Sequence, residues 1–144
     1  METEQTEKGK LTTVLLTAGM AALPLARLRD RIGLDPPGPT PEWFSRIDAF
    51  SKRIRRLPRD IGIAVLFIQN EDRLAEISAL TGFLDSVRLI LILPEENPTL
   101  RRGVLHLYPS YVCSPDSDFK DLKAVMDQIR VKTTQLTQSI QTEA

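Results

Sequence analysis

The chain has 144 residues, of which 42% are apolar and 26% charged, with 19 acidic side chains balancing 19 basic ones. That length suits one domain with a proper hydrophobic core, and the composition is that of a soluble globular protein. Zero net charge removes any global pull toward nucleic acid or anionic lipid, and no apolar run reaches the roughly 18 residues that would span a bilayer.

Residues 1–10 (METEQTEKGK) are polar and acidic-leaning, which is wrong for a secretory signal; a disordered start and a cytoplasmic location are expected. The single cysteine, Cys113, excludes an internal disulfide, and with a single histidine it cannot build a zinc site. Residues 11–16 (LTTVLL) read as a first strand, broken by Ala18-Gly19. A helix follows over 20–32, with Leu25, Leu28 and Ile32 on one face. Pro24 fits only its first turn and Gly33 is its natural stop. Asp35 to Pro41, four prolines in seven residues, must be a loop.

Residues 42–47 (EWFSRI) carry a short signal, either an edge strand or an opening helical turn. Asp48 then caps a helix with Phe50, Ile54 and Leu57 on one face, ended by Pro58. Residues 63–68 (IAVLFI) are an apolar run, and residues 87–93 (VRLILIL) are one apart from Arg88, as strands buried on both faces require. Between them Asn70 is an N-cap for a helix over 71–84, with Leu74, Ile77, Leu80 and Leu84 inward. Asn97-Pro98 opens a helix over 98–107. Residues 111–113 (YVC) read as the last strand. A final helix over 118–130, capped by Asp116 or Ser117, repeats Phe119, Leu122, Val125, Met126 and Ile129 at helical steps. The tail over 131–144 is polar and is expected to fray.

Five strands alternating with five helices predict an α/β, doubly wound, five-stranded parallel sheet of order 2-1-3-4-5 over residues 11–130. This alternation, together with residues 111–121 (YVCSPDSDFKD), resembles the receiver domain of two-component response regulators. In that family the fifth strand ends in a Lys-Pro pair; Ser114-Pro115 stands in its place here. The resemblance implies acidic residues after the first strand, a phosphoacceptor aspartate after the third, and a hydroxyl after the fourth. This sequence offers Thr17-Ala18-Gly19, then Ile68 or Gln69, then Pro94, and Ser114 in place of the lysine. Magnesium requires hard oxygen ligands, so phosphotransfer is not expected, and neither is a metal or a cofactor. Glu71, Asp72, Glu95 and Glu96 read as helix-start and loop carboxylates.

The remaining candidates sort by residue chemistry. Lys52, Arg53, Arg55, Arg56 and Arg59 read as a solvated helix face. His106, with no nucleophile near it in sequence, reads as a partly exposed helix-end residue, and Cys113 as a buried inert thiol. Trp43-Phe44 suits packing at an edge strand. The glycines form no phosphate-cradling pattern. The expected role is a degenerate receiver, or pseudo-receiver: a non-enzymatic signalling domain acting through a protein partner, a second copy of the chain included. By position, the family's contact face maps here to Arg101, Arg102, Leu105, Tyr108 and Tyr111. The alternative is a small-ligand or nucleotide crevice at Thr17, Gly19, Gln69, Asn70 and Ser114.

Overall fold

Side chains along a strand point alternately to opposite faces, so a run such as IGIAVLF must feed two apolar layers at once. The computed structural model, which describes residues 12–33, 40–56, 60–94 and 96–130, shows that arrangement. The elements in chain order are β1 (Thr12–Leu16), α1 (Ala22–Gly33), β2 (Glu42–Phe44), α2 (Ile47–Arg56), β3 (Ile61–Phe67), α3 (Glu71–Ser78), β4 (Arg88–Ile92), α4 (Pro98–Gly103), β5 (Tyr111–Cys113) and α5 (residues 120–130). The five strands form one sheet, all parallel, in the order β2-β1-β3-β4-β5. This is the flavodoxin-like, receiver-like α/β fold.

Ala64, Leu66 and Ile68 join Leu89, Leu91 and Leu93 in a layer with Phe50, Ile54, Ile77 and Leu100 from α2, α3 and α4. Ile63, Val65 and Phe67 join Ile90 and Ile92 in the opposite layer, closed by Leu28 and Ile32 of α1 and by Phe119, Leu122 and Met126. The registers Val65↔Ile90 and Leu66↔Leu91 keep each layer continuous across the centre. A shift between Thr12 and Thr13 breaks the β1–β3 register at its start.

The weak 42–47 signal resolves into the edge strand β2 followed directly by α2. Phe44 packs edge-on against Phe50, centroids 5.8 Å apart, and Arg29 lies 4.8 Å over the Trp43 ring. The two asparagine caps form as expected: Asn70 Oδ1 accepts from Arg73 N and Asn97 Oδ1 from Leu100 N, each at 2.9 Å.

Several boundaries differ from the sequence reading. Asp48 does not cap α2 but stands inside its first turn. There its carboxylate is held by the Arg46 guanidinium at 3.0 and 3.1 Å, a bond that lowers its pKa. The helix expected over 71–84 ends at Ser78, because the Thr81 hydroxyl donates to the Ser78 carbonyl at 2.9 Å and a 3₁₀ turn follows over Thr81–Phe83. Leu80 and Leu84 are buried all the same, from the turn rather than the helix. The helix expected over 98–107 is α-helical only to Gly103 and tightens into a 3₁₀ turn over Val104–Leu107. At Gly103 a Cβ would lie 2.9 Å from Leu74 Cδ2, the far end of a flexible side chain that would have to shift to make room. The start of α5 is held by Asp118, whose Oδ1 accepts from Lys120 N at 2.9 Å, and by Ser117, not by Asp116.

Arg53 is a further correction, since it is no part of a solvated face. It is buried, and donates to Glu42 at 2.6 and 3.2 Å and to Asp60 at 3.0 Å. The bond to Glu42 raises its pKa further. One guanidinium thus ties edge strand, helix and the entry to β3 together. Lys52, Arg55 and Arg56 are exposed as expected. Leu57, Pro58, Arg59, Glu95 and both expected tails lie outside the described residues.

Candidate functional site

In a doubly wound sheet the functional crevice opens beyond the carboxyl ends of the strands, where the strand order reverses, here between β1 and β3. Thr17 is buried and its hydroxyl donates to the Phe44 carbonyl at 3.3 Å. Gly19 has φ +84°, and Gln69 lies across it so closely that a Cβ at position 19 would sit 1.6 Å from Gln69 Oε1. Asn70 spends its side-chain oxygen on the α3 cap. Ser114, also buried, accepts from Asp116 N at 3.1 Å. The fold therefore brings Gly19 and Gln69 together, while Thr17, Asn70 and Ser114 are engaged in local backbone bonds.

Glu71 and Asp72 are exposed on the first turn of α3 and Glu96 is exposed beyond β4. Among the described residues no three His, Cys, Asp or Glu side chains are placed to share a metal ion.

The face along α4, β5 and α5 is different in character. Arg101 and Arg102 are exposed, as are Leu105 (63%) and Tyr108 (88%). Tyr111 is half-buried and packs against the layer containing Ile90, Ile92 and Phe119, which pushes its phenol pKa up. The two tyrosines are thus not equivalent: one ring is free and the other is part of the sheet's edge packing. Cys113 is half-buried beside it, and desolvation pushes its thiol up to about 12, so it stays protonated and unreactive at neutral pH.

His106 gains a neighbour that sequence distance hid. Its Nε2 lies 3.0 Å from Ser78 Oγ, 28 residues earlier, and its Nδ1 faces the Gly103 carbonyl. With Nδ1–H donating to that carbonyl, Nε2 accepts from the serine. The pair looks like a nucleophile and base, but the amides after Ser78 are committed: Ala79 N to Ala75 O and Leu80 N to Ile77 O. The bond joins α3 to the turn after α4.

At the opposite end of the sheet, before β4 and β5, an open cavity of about 630 Å³ lies between the Thr81–Phe83 turn and the Leu107 to Ser110 link. Gly82, Asp85, Arg88, His106 and Tyr108 are on its walls. No sequence motif marks this site, because its residues come from two turns and the start of a strand.

No family model matches the chain, and no curated protein matches it. Among solved structures it is similar to a Burkholderia pseudomallei protein described as pilus assembly-related. The TM-score is 0.60 at 14% identity, over 86% of this chain and 92% of that one. At that identity the likeness is one of fold.

Proposed function

We propose that the chain is a receiver-like regulatory domain that works by protein–protein contact, without enzymatic activity or aspartyl phosphorylation. The observation that carries this reading is the chemistry at the carboxyl ends of the strands. Where a receiver would present metal-binding carboxylates and a phosphoacceptor, this chain presents a tied threonine, a glutamine folded over a glycine, and a proline. None of these is a hard anionic ligand for magnesium.

A sheet of this kind that has given up its crevice chemistry still offers shaped surfaces, and here the α4–β5–α5 side presents arginines with an exposed leucine and tyrosine. Arginine and tyrosine are enriched in interface hot spots, because each couples area to directional bonding, and the leucine adds apolar area beside them. The neighbour described as pilus assembly-related suits a contact role, with a bacterial assembly as one setting for it. A cytoplasmic location fits the same role, and among the described residues no helix is long and apolar enough to cross a membrane. The ligand-crevice alternative stands second, since Thr17, Asn70 and Ser114 already bond within the chain.

Site-specific photo-crosslinking tests the proposal. A benzophenone amino acid installed at position 105 or 108 is expected to trap a defined protein partner, or a second copy of the chain. The same probe at Leu23, an equally exposed apolar position on α1, is expected to trap none. Trapping at all three sites alike, or at none, would remove the case for this face.

A further inference from the structure

In a parallel sheet each crossover helix runs back against the strands, so helices begin at the carboxyl end of the sheet and finish at its amino end. One face of the sheet is covered by α2, α3 and α4. At the amino end of that layer stand Arg55 and Arg56 in the last turn of α2, Arg101 and Arg102 in the last turn of α4, and Arg88 at the start of β4. All five are exposed, and none forms an ion pair among the described residues. The described carboxylates exposed at this end are Asp60, which is bonded to Arg53, and Asp85.

The carboxyl end of the same layer carries the opposite sign. Glu71 and Asp72 are exposed in the first turn of α3, and Glu96 is exposed just before α4. None of the three forms an ion pair among the described residues, while the neighbouring cation, Arg73, is paired with Glu76 at 3.1 Å. Helix dipoles favour acids at helix starts and bases at helix ends. Arg88 opens a strand, however, and stands outside that rule. A chain of zero net charge is therefore polarised along its strands on this face.

Exposed apolar side chains are unremarkable when scattered, but three of the four large ones belong to turns at the basic end: Phe83, Leu105 and Tyr108. The fourth, Leu23, is on α1, which covers the other face. Arg55 lies 5.6 Å over the Phe83 ring, and the turn holding Leu105 and Tyr108 follows directly on from Arg102. The Tyr108 backbone is left-handed (φ 54°, ψ 58°), a conformation that favours glycine. Its ring, almost wholly in solvent, returns no packing for that strain within the chain. At the acidic end Pro98 opens α4 with its ring exposed, two residues after Glu96.

Both halves of a contact are thus present on one chain. We infer that copies of the protein associate head to tail, the arginines at the amino end of the α2–α3–α4 layer pairing with Glu71, Asp72 and Glu96 of the next copy, and Tyr108 packing on its Pro98. Guanidinium groups suit this pairing because they fork onto carboxylates in two parallel hydrogen bonds. The two patches are unlike, so the contact is heterologous. Each added copy leaves one patch of each kind free, and association continues into a chain or a closed ring rather than stopping at a symmetric pair. The inference rests on the contact function proposed above and names a second copy as the partner.

Sedimentation velocity of the full chain tests it. At about 20 mM salt the average sedimentation coefficient is expected to climb with protein concentration beyond that of a dimer, and at about 0.5 M salt to return to that of a monomer. Two neutralised variants are made, Arg101→Gln with Arg102→Gln and Glu71→Gln with Asp72→Asn. Each is expected to associate at least about tenfold more weakly than the parent while unfolding as cooperatively. Each keeps one intact end, so an equimolar mixture of the two is expected to form pairs and go no further. Tyr108→Gly is expected to hold or raise Tm, since glycine suits the left-handed turn, and to weaken association. A monomer at low salt, association indifferent to salt, full association by the acid-end variant or by Tyr108→Gly, or a mixture that stays monomeric or grows past pairs would each overturn the inference. A different protein trapped at position 105 or 108 by a chain that stays monomeric would overturn it and leave the contact function standing. A chain that neither associates nor traps anything would overturn both.

Discussion

Arg53→Ala is expected to destabilise the fold by about 2–4 kcal/mol, read as a lower urea midpoint at unchanged slope. The side chain of Arg53 is only 6% exposed, whereas those of Glu42 and Asp60 are 37% and 47% exposed. Removing the arginine therefore leaves two carboxylates that water can partly rehydrate, which keeps the loss at the lower end of what a buried pair costs. The rest of the loss is architectural. β2 is three residues long and lies at the sheet edge. Glu42 pairs with Val14 in the strand register and with Arg53 through its side chain. Arg53→Lys is expected to recover less than half of the loss, because an ammonium cannot make the forked bond to Glu42 while also reaching Asp60. Full recovery by lysine would mean that charge alone, without geometry, holds the edge.

The second large effect belongs to the sheet's centre. Leu91→Ala is expected to cost about 2–5 kcal/mol, against about 0.5–1.5 kcal/mol for Ile92→Val on the other face of the same strand. Both side chains are fully buried. Leu91 lies between Leu66 and Val112 in neighbouring strands and in the layer closed by α2, α3 and α4. Loss of its terminal carbons opens a cavity that a parallel sheet, fixed by ladders on both sides, cannot collapse to fill. Tyr108→Ala, at a position that contributes almost no burial, is expected to leave stability within about 0.5 kcal/mol. Urea unfolding of the three variants in parallel is expected to order them by the apolar volume each removes from the core, Leu91→Ala first, Ile92→Val second and Tyr108→Ala last.

The sheet was legible because its signal is large and repeated. Apolar runs such as IAVLFI have few uses other than a strand covered on both sides, and Asn70 and Asn97-Pro98 mark helix starts by chemistry that acts locally. The helix ends were less legible. The chain leaves the α-helix after Ser78 where a threonine hydroxyl turns back to its carbonyl, and after Gly103 where it tightens into a 3₁₀ turn, and neither event has a strong signature in the sequence. Arg53 was misread for a related reason. Its neighbours Lys52, Arg55 and Arg56 do face water, and only the arrival of Glu42 and Asp60 from adjoining elements makes one arginine of the cluster internal. The crevice positions Thr17, Gly19, Gln69, Asn70 and Ser114 could be placed from topology alone, but the closure of Gln69 over Gly19 could not. The cavity beside Arg88 and Tyr108 had no sequence signature, since a left-handed tyrosine is visible only in the backbone.

The central claim, a receiver-like scaffold that signals without phosphotransfer, meets its most direct test in intact-mass measurement of the protein after incubation with acetyl phosphate and magnesium. Among the described residues no cluster of carboxylates is placed to share a metal ion, so the incoming phosphoryl oxygens are expected to meet neither a metal to neutralise them nor an aspartate to accept them. The account predicts an unchanged mass. An added phosphoryl group mapped to Glu71 or Asp72, the carboxylates nearest the end of β3 in sequence, would contradict it.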